Sequence, residues 1–115
     1  MTTINPAYTT EEAAFQLRDA GASVLVTTAE LAPRAREVAA LATRAIDIIT
    51  IDQTAGLPSL ASIAIDADPP PVAIDPMVDV VALPYSSGTT GLPKGVMLLL
   101  FANNPVSSVM HVARS

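Results

Sequence analysis

The chain is 115 residues long, which gives room for one domain and not for a second full one. Half of its residues are hydrophobic and only 15% are charged, against roughly 25% in ordinary soluble domains, so disorder is excluded except locally. Six Lys and Arg against eleven Asp and Glu give a net charge of −5 with no basic stripe, which argues against nucleic acid as a partner, and the absence of cysteine excludes disulfides and thiolate metal sites.

The single His111 cannot build a metal cage and reads as an ordinary surface or tail histidine. The opening Met1 to Pro6 has neither a basic patch nor an apolar stretch of leader type, and the longest apolar run, Val96 to Ala102, is far shorter than the ~20 residues of a membrane span. No membrane span and a cytoplasmic location are therefore expected.

The first periodic segment opens at Thr9, where a Thr three residues before Glu12 matches a capping box, and closes at Ala20-Gly21, a natural C-terminal pair. A short helix is predicted between them, with Ala14, Leu17 and Phe15 inward and Gln16, Arg18 and Asp19 in water. Ser23 to Thr27 then forms a compact β-branched run of the kind found in strands buried on both faces. Thr28 is the expected cap of a second helix, with Glu30 and Pro33 in its first turn and Leu31, Ala35, Val38 and Leu41 or Ala42 on one face. Ile46 to Asp52 reads as another strand. Helix, strand, helix, strand with short connections implies an α/β layer fold containing a parallel βαβ unit.

From Gln53 to Pro76 the chain carries Gly56 and five prolines, which reads as a long connector, with Leu57, Leu60, Ile63 and Ile65 able to pack as a short helix or strand. Asp79 to Tyr85 restores a strand, and Val96 to Phe101 forms another. Tyr8 and Tyr85 read as packing residues with hydrogen-bonded hydroxyls.

Between the last two strands, residues 86–95 hold four hydroxyl side chains, three glycines, one proline and one lysine, with no acidic residue in a chain that is acidic overall. By composition alone such a stretch suits either a turn between strands or the cradle of a polyphosphate. In the second case glycine turns backbone N–H groups toward an anion, hydroxyls add donors, and Lys94 adds a mobile positive charge. The order departs at two positions from the nucleotide loop in which Gly precedes Lys and Ser or Thr follows it, and the aliphatic run after Gly95 looks like a strand and not a helix. A strand–loop–strand hairpin is the expected geometry.

The run Tyr85-Ser86-Ser87-Gly88-Thr89-Thr90-Gly91-Leu92-Pro93-Lys94-Gly95-Val96 closely resembles the phosphate-loop signature of the adenylate-forming, or AMP-binding, superfamily, which includes acyl-CoA synthetases, 4-coumarate–CoA ligases and luciferases. Asn5-Pro6-Ala7-Tyr8-Thr9 with Glu12, Gln16 and Leu17 is similar to the segment preceding that loop in the CoA-ligase branch, and the resemblance covers nearly all of residues 4–98. It implies reaction of a carboxylic acid with ATP to give an acyl-adenylate and pyrophosphate, followed by transfer to coenzyme A. It assigns Ser86, Ser87, Gly88, Thr89, Thr90, Gly91 and Lys94 to the ATP phosphates, implies Mg2+ accompanying the nucleotide, and points to no catalytic residue or protein metal ligand within the chain.

Leu99-Leu100 stands where the family has a Thr-His pair, so residues 1–98 are expected to form a partial AMP-binding domain and 99–115 a divergent tail. Because the family's adenine, acyl-pocket and hinge segments have no counterpart here, a fragment, or a truncated or remnant reading frame, inactive alone, is the expectation. The alternatives are a non-catalytic interaction module that self-associates or docks on a partner through exposed apolar surface, and a remnant that does not fold stably.

Overall fold

The computed structural model describes residues 1–86 and 94–99, together with the backbone of 112–113. Two compact units divide the chain, one formed by Ala7–Asp68 and the other by Met1–Pro6 with Pro69–Ser115. The architecture is mixed α/β, with a parallel pair of strands in the first unit and an antiparallel sheet in the second.

The first unit begins with α1 (Thr10–Asp19), and the capping box predicted for it is present. Thr9 Oγ1 accepts the Glu12 N–H at 3.2 Å and a Glu12 carboxylate oxygen accepts the Thr9 N–H at 2.7 Å, which satisfies two donors that the first turn leaves open. At the other end Gly21 sits at φ +62°, and the N–H groups of Ala22 and Gly21 reach back to the carbonyls of Leu17 and Arg18 at 3.0 and 3.1 Å. This is a Schellman ending, in which a residue free of Cβ takes the left-handed position.

Strand β1 (Val24–Thr27), helix α2 (Ala32–Ala40) and strand β2 (Asp47–Thr50) form the predicted βαβ unit. The strands are parallel and in register from Val24 opposite Asp47 to Thr27 opposite Thr50. The ladder runs on at both ends, where Asp47 N–H donates to Ser23 O at 2.9 Å and Ile51 N–H to Thr27 O at 2.8 Å. Short α3 (Leu60–Ile63) follows on the connector, capped by reciprocal hydrogen bonds between Ser59 and Ser62, and it buries none of its own residues.

Four expectations for this unit are corrected. Leu31, expected on the inward face of α2, stands at its cap position 38% exposed. Gln16 is fully buried instead of wet, because it lies three residues after buried Ala13 and the helical period carries it inside on the same face. Val24 and Val26 are 47% and 49% exposed, so β1 is not buried on both faces; α2 packs on the strands from one side and leaves the other open. Thr28 does not cap α2. The cap position is Leu31 with no side-chain hydrogen bond, Pro33 lies in the first turn, and the preceding turn is held by Asp52, whose Oδ1 accepts the Ala29 N–H at 2.7 Å. A carboxylate just past β2 thus ties down the exit from β1, a long-range contact that local capping patterns do not reveal.

The core of the first unit is built mainly from alanine. Ala13, Ala14 and Leu17 of α1 and Ala32, Ala35 and Val38 of α2 are its buried hydrophobic residues, and Thr50 joins them with its hydroxyl donating to Pro58 O at 3.2 Å.

In the second unit the single strand expected over Asp79 to Tyr85 is divided into β3 (Val80–Ala82) and β4 (Tyr85–Ser86). Both pair antiparallel with β5 (Lys94–Leu99), and the pairs Ser86–Lys94, Tyr85–Gly95 and Ala82–Leu98 keep one register that slips only between Ala82 and Val80. Pro84 causes the division: its carbonyl accepts the Val96 N–H at 2.9 Å, but proline has no N–H to return the bond. Beside β3, the Met1 amino group donates to Val81 O at 3.2 Å and the Leu83 N–H donates to Met1 O at 2.7 Å. Strand β6 (Val112–Ala113) pairs antiparallel with β5 at Val96 and Met97.

Leu17 is the largest apolar side chain of the first core, so Leu17→Ala is expected to destabilise that unit by about 2–5 kcal/mol through lost burial and a residual cavity. Ile65→Ala, at a position 82% exposed, should stay within about 0.5 kcal/mol of the parent. Urea unfolding followed by circular dichroism separates the two.

Candidate functional site

The stretch singled out by sequence is bracketed by β4 and β5. Ser86 closes β4 and Lys94 opens β5, and the two stand directly opposite each other in the ladder, both exposed. Antiparallel pairing fixes their backbones about 5 Å apart, so a residue with a hydroxyl and one with an ammonium group flank residues 87–93. Of the predicted site residues, the structure brings Ser86 and Lys94 together; Ser87, Gly88, Thr89, Thr90 and Gly91 lie outside the described residues.

One step further from the loop the pair is Tyr85 and Gly95. A Cβ placed on Gly95 would meet Tyr85 Cζ at 3.0 Å, Oη at 3.2 Å and Cε1 at 3.3 Å, so the phenol ring lies close across the glycine and a methyl group there fits only if the ring gives by a few tenths of an ångström. Gly95 is buried and Tyr85 half-buried. This contact gives Tyr85 a positioning role beyond packing. An aromatic residue crossing a strand glycine holds the two strands at close range and pins their register. The sequence signal was present as an aromatic just before the loop and a glycine just after it, but only the register shows that they face one another.

The electrostatics follow from the order of charges along the chain. All eleven carboxylate residues occur at or before Asp79, and the charged side chains after it are Lys94 and Arg114. Strands β4 and β5 are thus free of acidic side chains within a chain of net charge −5, and an anion near Lys94 meets no carboxylate on either strand. The donor set fits a phosphate group. It does not fit a protein-held Mg2+: β4 and β5 carry no acidic residue, and among the described residues no group of three or more His, Asp or Glu could hold a metal ion.

The first unit has an open depression of about 430 Å3 lined by Gln53, Thr54, Ala55, Leu57, Ser59 and Ser62. Sequence reading did not point to it. Its two serines already bond each other in the cap of α3, and it brings no charged group to a ligand.

Comparison with known proteins identifies the class. The family profile described as AMP-binding enzyme matches residues 1–113, and the chain belongs to that family. It is 47% identical over 102 residues to 4-coumarate–CoA ligase 3 of Oryza sativa subsp. japonica, a match covering 84% of this chain and 17% of the relative. Among solved structures, the luciferase-like enzyme of the nonluminescent Zophobas morio mealworm superposes with a TM-score of 0.71 at 19% identity, over 84% of this chain and 23% of that one. The anthranilate CoA ligase AuaEII, solved with anthranoyl-AMP, gives a TM-score of 0.66 at 26% identity, over 85% of this chain and 20% of the other. The chain therefore spans less than a fifth of the length of its curated relative. Among the described residues no helix is long and apolar enough to cross a membrane.

The contact between Tyr85 and Gly95 yields a direct expectation. Gly95→Ala should weaken the β4–β5 pairing by about 1 kcal/mol, because the ring must give by a few tenths of an ångström to admit the methyl group. Hydrogen exchange at the Val96 amide, bonded to Pro84 O, reports it as faster opening. In the double variant Tyr85→Ala/Gly95→Ala the added cost of the alanine should disappear.

Proposed function

We propose that this chain supplies the triphosphate-gripping part of an ATP-dependent acid–CoA ligase. One observation carries the reading: Ser86 and Lys94 are paired at the strand ends that flank residues 87–93, a glycine- and hydroxyl-rich stretch without acidic residues. ATP is the substrate held there, with Ser86, Ser87, Thr89 and Thr90 as hydroxyl donors, Gly88 and Gly91 allowing backbone N–H groups to turn toward the phosphates, and Lys94 countering charge on the terminal phosphates.

Holding the β- and γ-phosphates orients the α-phosphorus for attack by a carboxylate oxygen of the acid. The new bond is the acyl–phosphate linkage of the adenylate, and the bond broken is that to the leaving pyrophosphate. Coenzyme A then displaces AMP through its thiol. Mg2+ arrives with the nucleotide and needs no ligand from these strands. Family membership and the 47% identity to a 4-coumarate–CoA ligase support the assignment to acid–thiol ligation.

The 115 residues by themselves perform the grip and not the turnover. The depression lined by Gln53, Thr54, Ala55, Leu57, Ser59 and Ser62 is open and brings no charged group to an acid or a nucleotide.

The test is a titration with millimolar ATP monitored by amide chemical shifts. Ser86, Lys94 and Gly95 should move with ATP and much less with AMP, because the ammonium group addresses the terminal phosphates. Lys94→Ala should lower ATP affinity about two- to fivefold, the value of a solvent-screened charge pair of about 0.5–1 kcal/mol. No shift with ATP, or equal affinity in Lys94→Ala, overturns the phosphate role. Release of pyrophosphate by the isolated chain with a panel of carboxylic acids would overturn its inactivity alone.

A further inference from the structure

Between α3 and β3, residues 64–79 form no regular element, and every residue of 69–75 is exposed. Pro69, Pro70 and Pro71 have no N–H to offer a ladder, hold φ at about −65° and extend the residue before each of them, so residues 68–71 favour polyproline II backbone. Val72 and Ile74 follow, 73% and 68% exposed. Among the described residues none hydrogen-bonds to residues 69–74. A pinned turn closes the run: Asp75 N–H donates to Asp79 Oδ2 at 2.7 Å, Asp75 Oδ1 accepts the Met77 N–H at 2.9 Å, and the Asp75 carbonyl accepts the Val78 and Asp79 N–H groups at 3.1 and 2.8 Å.

Extended proline-rich backbone with free carbonyls and protruding apolar side chains is what aromatic-lined grooves of peptide-binding modules recognise. We propose that residues 69–75 are a linear docking motif for a separate protein module whose groove is lined by aromatic side chains and rimmed by Lys or Arg. The proline rings stack on the aromatic floor, Val72 and Ile74 enter its apolar pockets, and the cationic rim meets Asp68 before the prolines and Asp75 after the apolar pair.

Charge decides the kind of groove. No Lys or Arg occurs between Arg44 and Lys94, whereas Asp66, Asp68, Asp75 and Asp79 flank the prolines in sequence. A groove with an acidic rim, built to take a Lys or Arg beside its prolines, is therefore repelled, and one with a cationic rim is steered toward the motif. A second copy of the chain is a poor occupant: two Tyr, two Phe and no Trp give it little with which to line an aromatic groove, and two chains of net charge −5 repel each other. Rigidity favours the motif, because fixed proline dihedrals and the pinned Asp75 turn reduce the conformational freedom lost on docking. The inference concerns a partner and not the reaction, and it is independent of the phosphate reading.

The experiment titrates the whole chain with purified EVH1 domains chosen for a cationic groove rim and, separately, with SH3 domains of acidic rim, following amide chemical shifts. Val72, Ala73 and Ile74 should shift saturably with the EVH1 set and not with the SH3 set. Pro70→Ala/Pro71→Ala should weaken binding about tenfold or more, and Asp66→Asn/Asp68→Asn about two- to fivefold. Raising salt from about 0.05 M to about 0.5 M should weaken it to a similar degree by screening the rim. Gln53→Ala, exposed in the other unit, should leave it unchanged. All of these positions are exposed, so circular dichroism of the variants should match the parent. No saturable shift, equal affinity in the double proline variant, tighter binding by the SH3 set, or shifts at residues 72–74 that follow only the chain's own concentration overturns the proposal.

Discussion

The first unit depends on how little side chain separates α1 from α2. Ala13 and Ala14 on one helix and Ala32 and Ala35 on the other are buried, and only Leu17 and Val38 add aliphatic bulk. Small residues at a helix contact let the backbones approach closely, which is favourable for packing density but removes little apolar area from water. The result is a tight and thin core. Its caps and ties become correspondingly important: the Thr9–Glu12 box, the Gly21 ending and the Asp52 bond to Ala29 each satisfy backbone groups that burial alone would not secure. The same thinness explains the surface of the sheet. With α2 filling one side, the larger aliphatics of β1 and β2 divide between a covered and an uncovered face, and the uncovered face is as apolar as the covered one.

The second unit solves a different problem, that of presenting a loop from two strand ends. Its pairing register continues from Ser86–Lys94 to Ala82–Leu98 despite the missing donor at Pro84. A register slip of one residue would place Lys94 on the other face of the hairpin, so the pin supplied by Tyr85 over Gly95 bears directly on where the ammonium group stands. A lysine at a strand terminus differs physically from one at a helix N-terminus: backbone geometry fixes its root opposite Ser86, while its four-carbon stem leaves the charge free to follow a phosphate.

Much of this organisation was legible in the sequence because its signals are local. The capping box at Thr9, the glycine after α1, the β-branched run at Val24 and the alternation of helix and strand all depend on neighbours within a few residues, and the structure bears them out. What escaped was set by distance. Gln16 is buried by its place on a helix face that is covered from elsewhere, Asp52 replaces Thr28 through a contact 23 residues away, and Val24 and Val26 lie open because a strand's second face depends on what is built over it. The division of the predicted strand at Pro84 was local and readable, since a proline in a ladder withholds a donor. At the site, residue types pointed to an anion, whereas the facing of Ser86 by Lys94 and of Tyr85 by Gly95 required the register.

The charge order completes the physical case for where an anion can sit. A polyphosphate approaching a chain of net charge −5 meets net repulsion, and at physiological salt that repulsion decays over about 8 Å. Local composition therefore decides the outcome more than the total. Every Asp and Glu occurs at or before Asp79, so β4 and β5 bring the Lys94 ammonium group, the Ser86 hydroxyl and no opposing carboxylate to their shared end. One lysine at a solvent-exposed position is a weak ligand for a triphosphate, because water screens it and its side chain must be ordered to bind. The same lysine beneath a cover that excludes water acts through a lower dielectric and loses less to screening. The lysine proposed to meet the phosphates therefore gains strength when more polypeptide surrounds it.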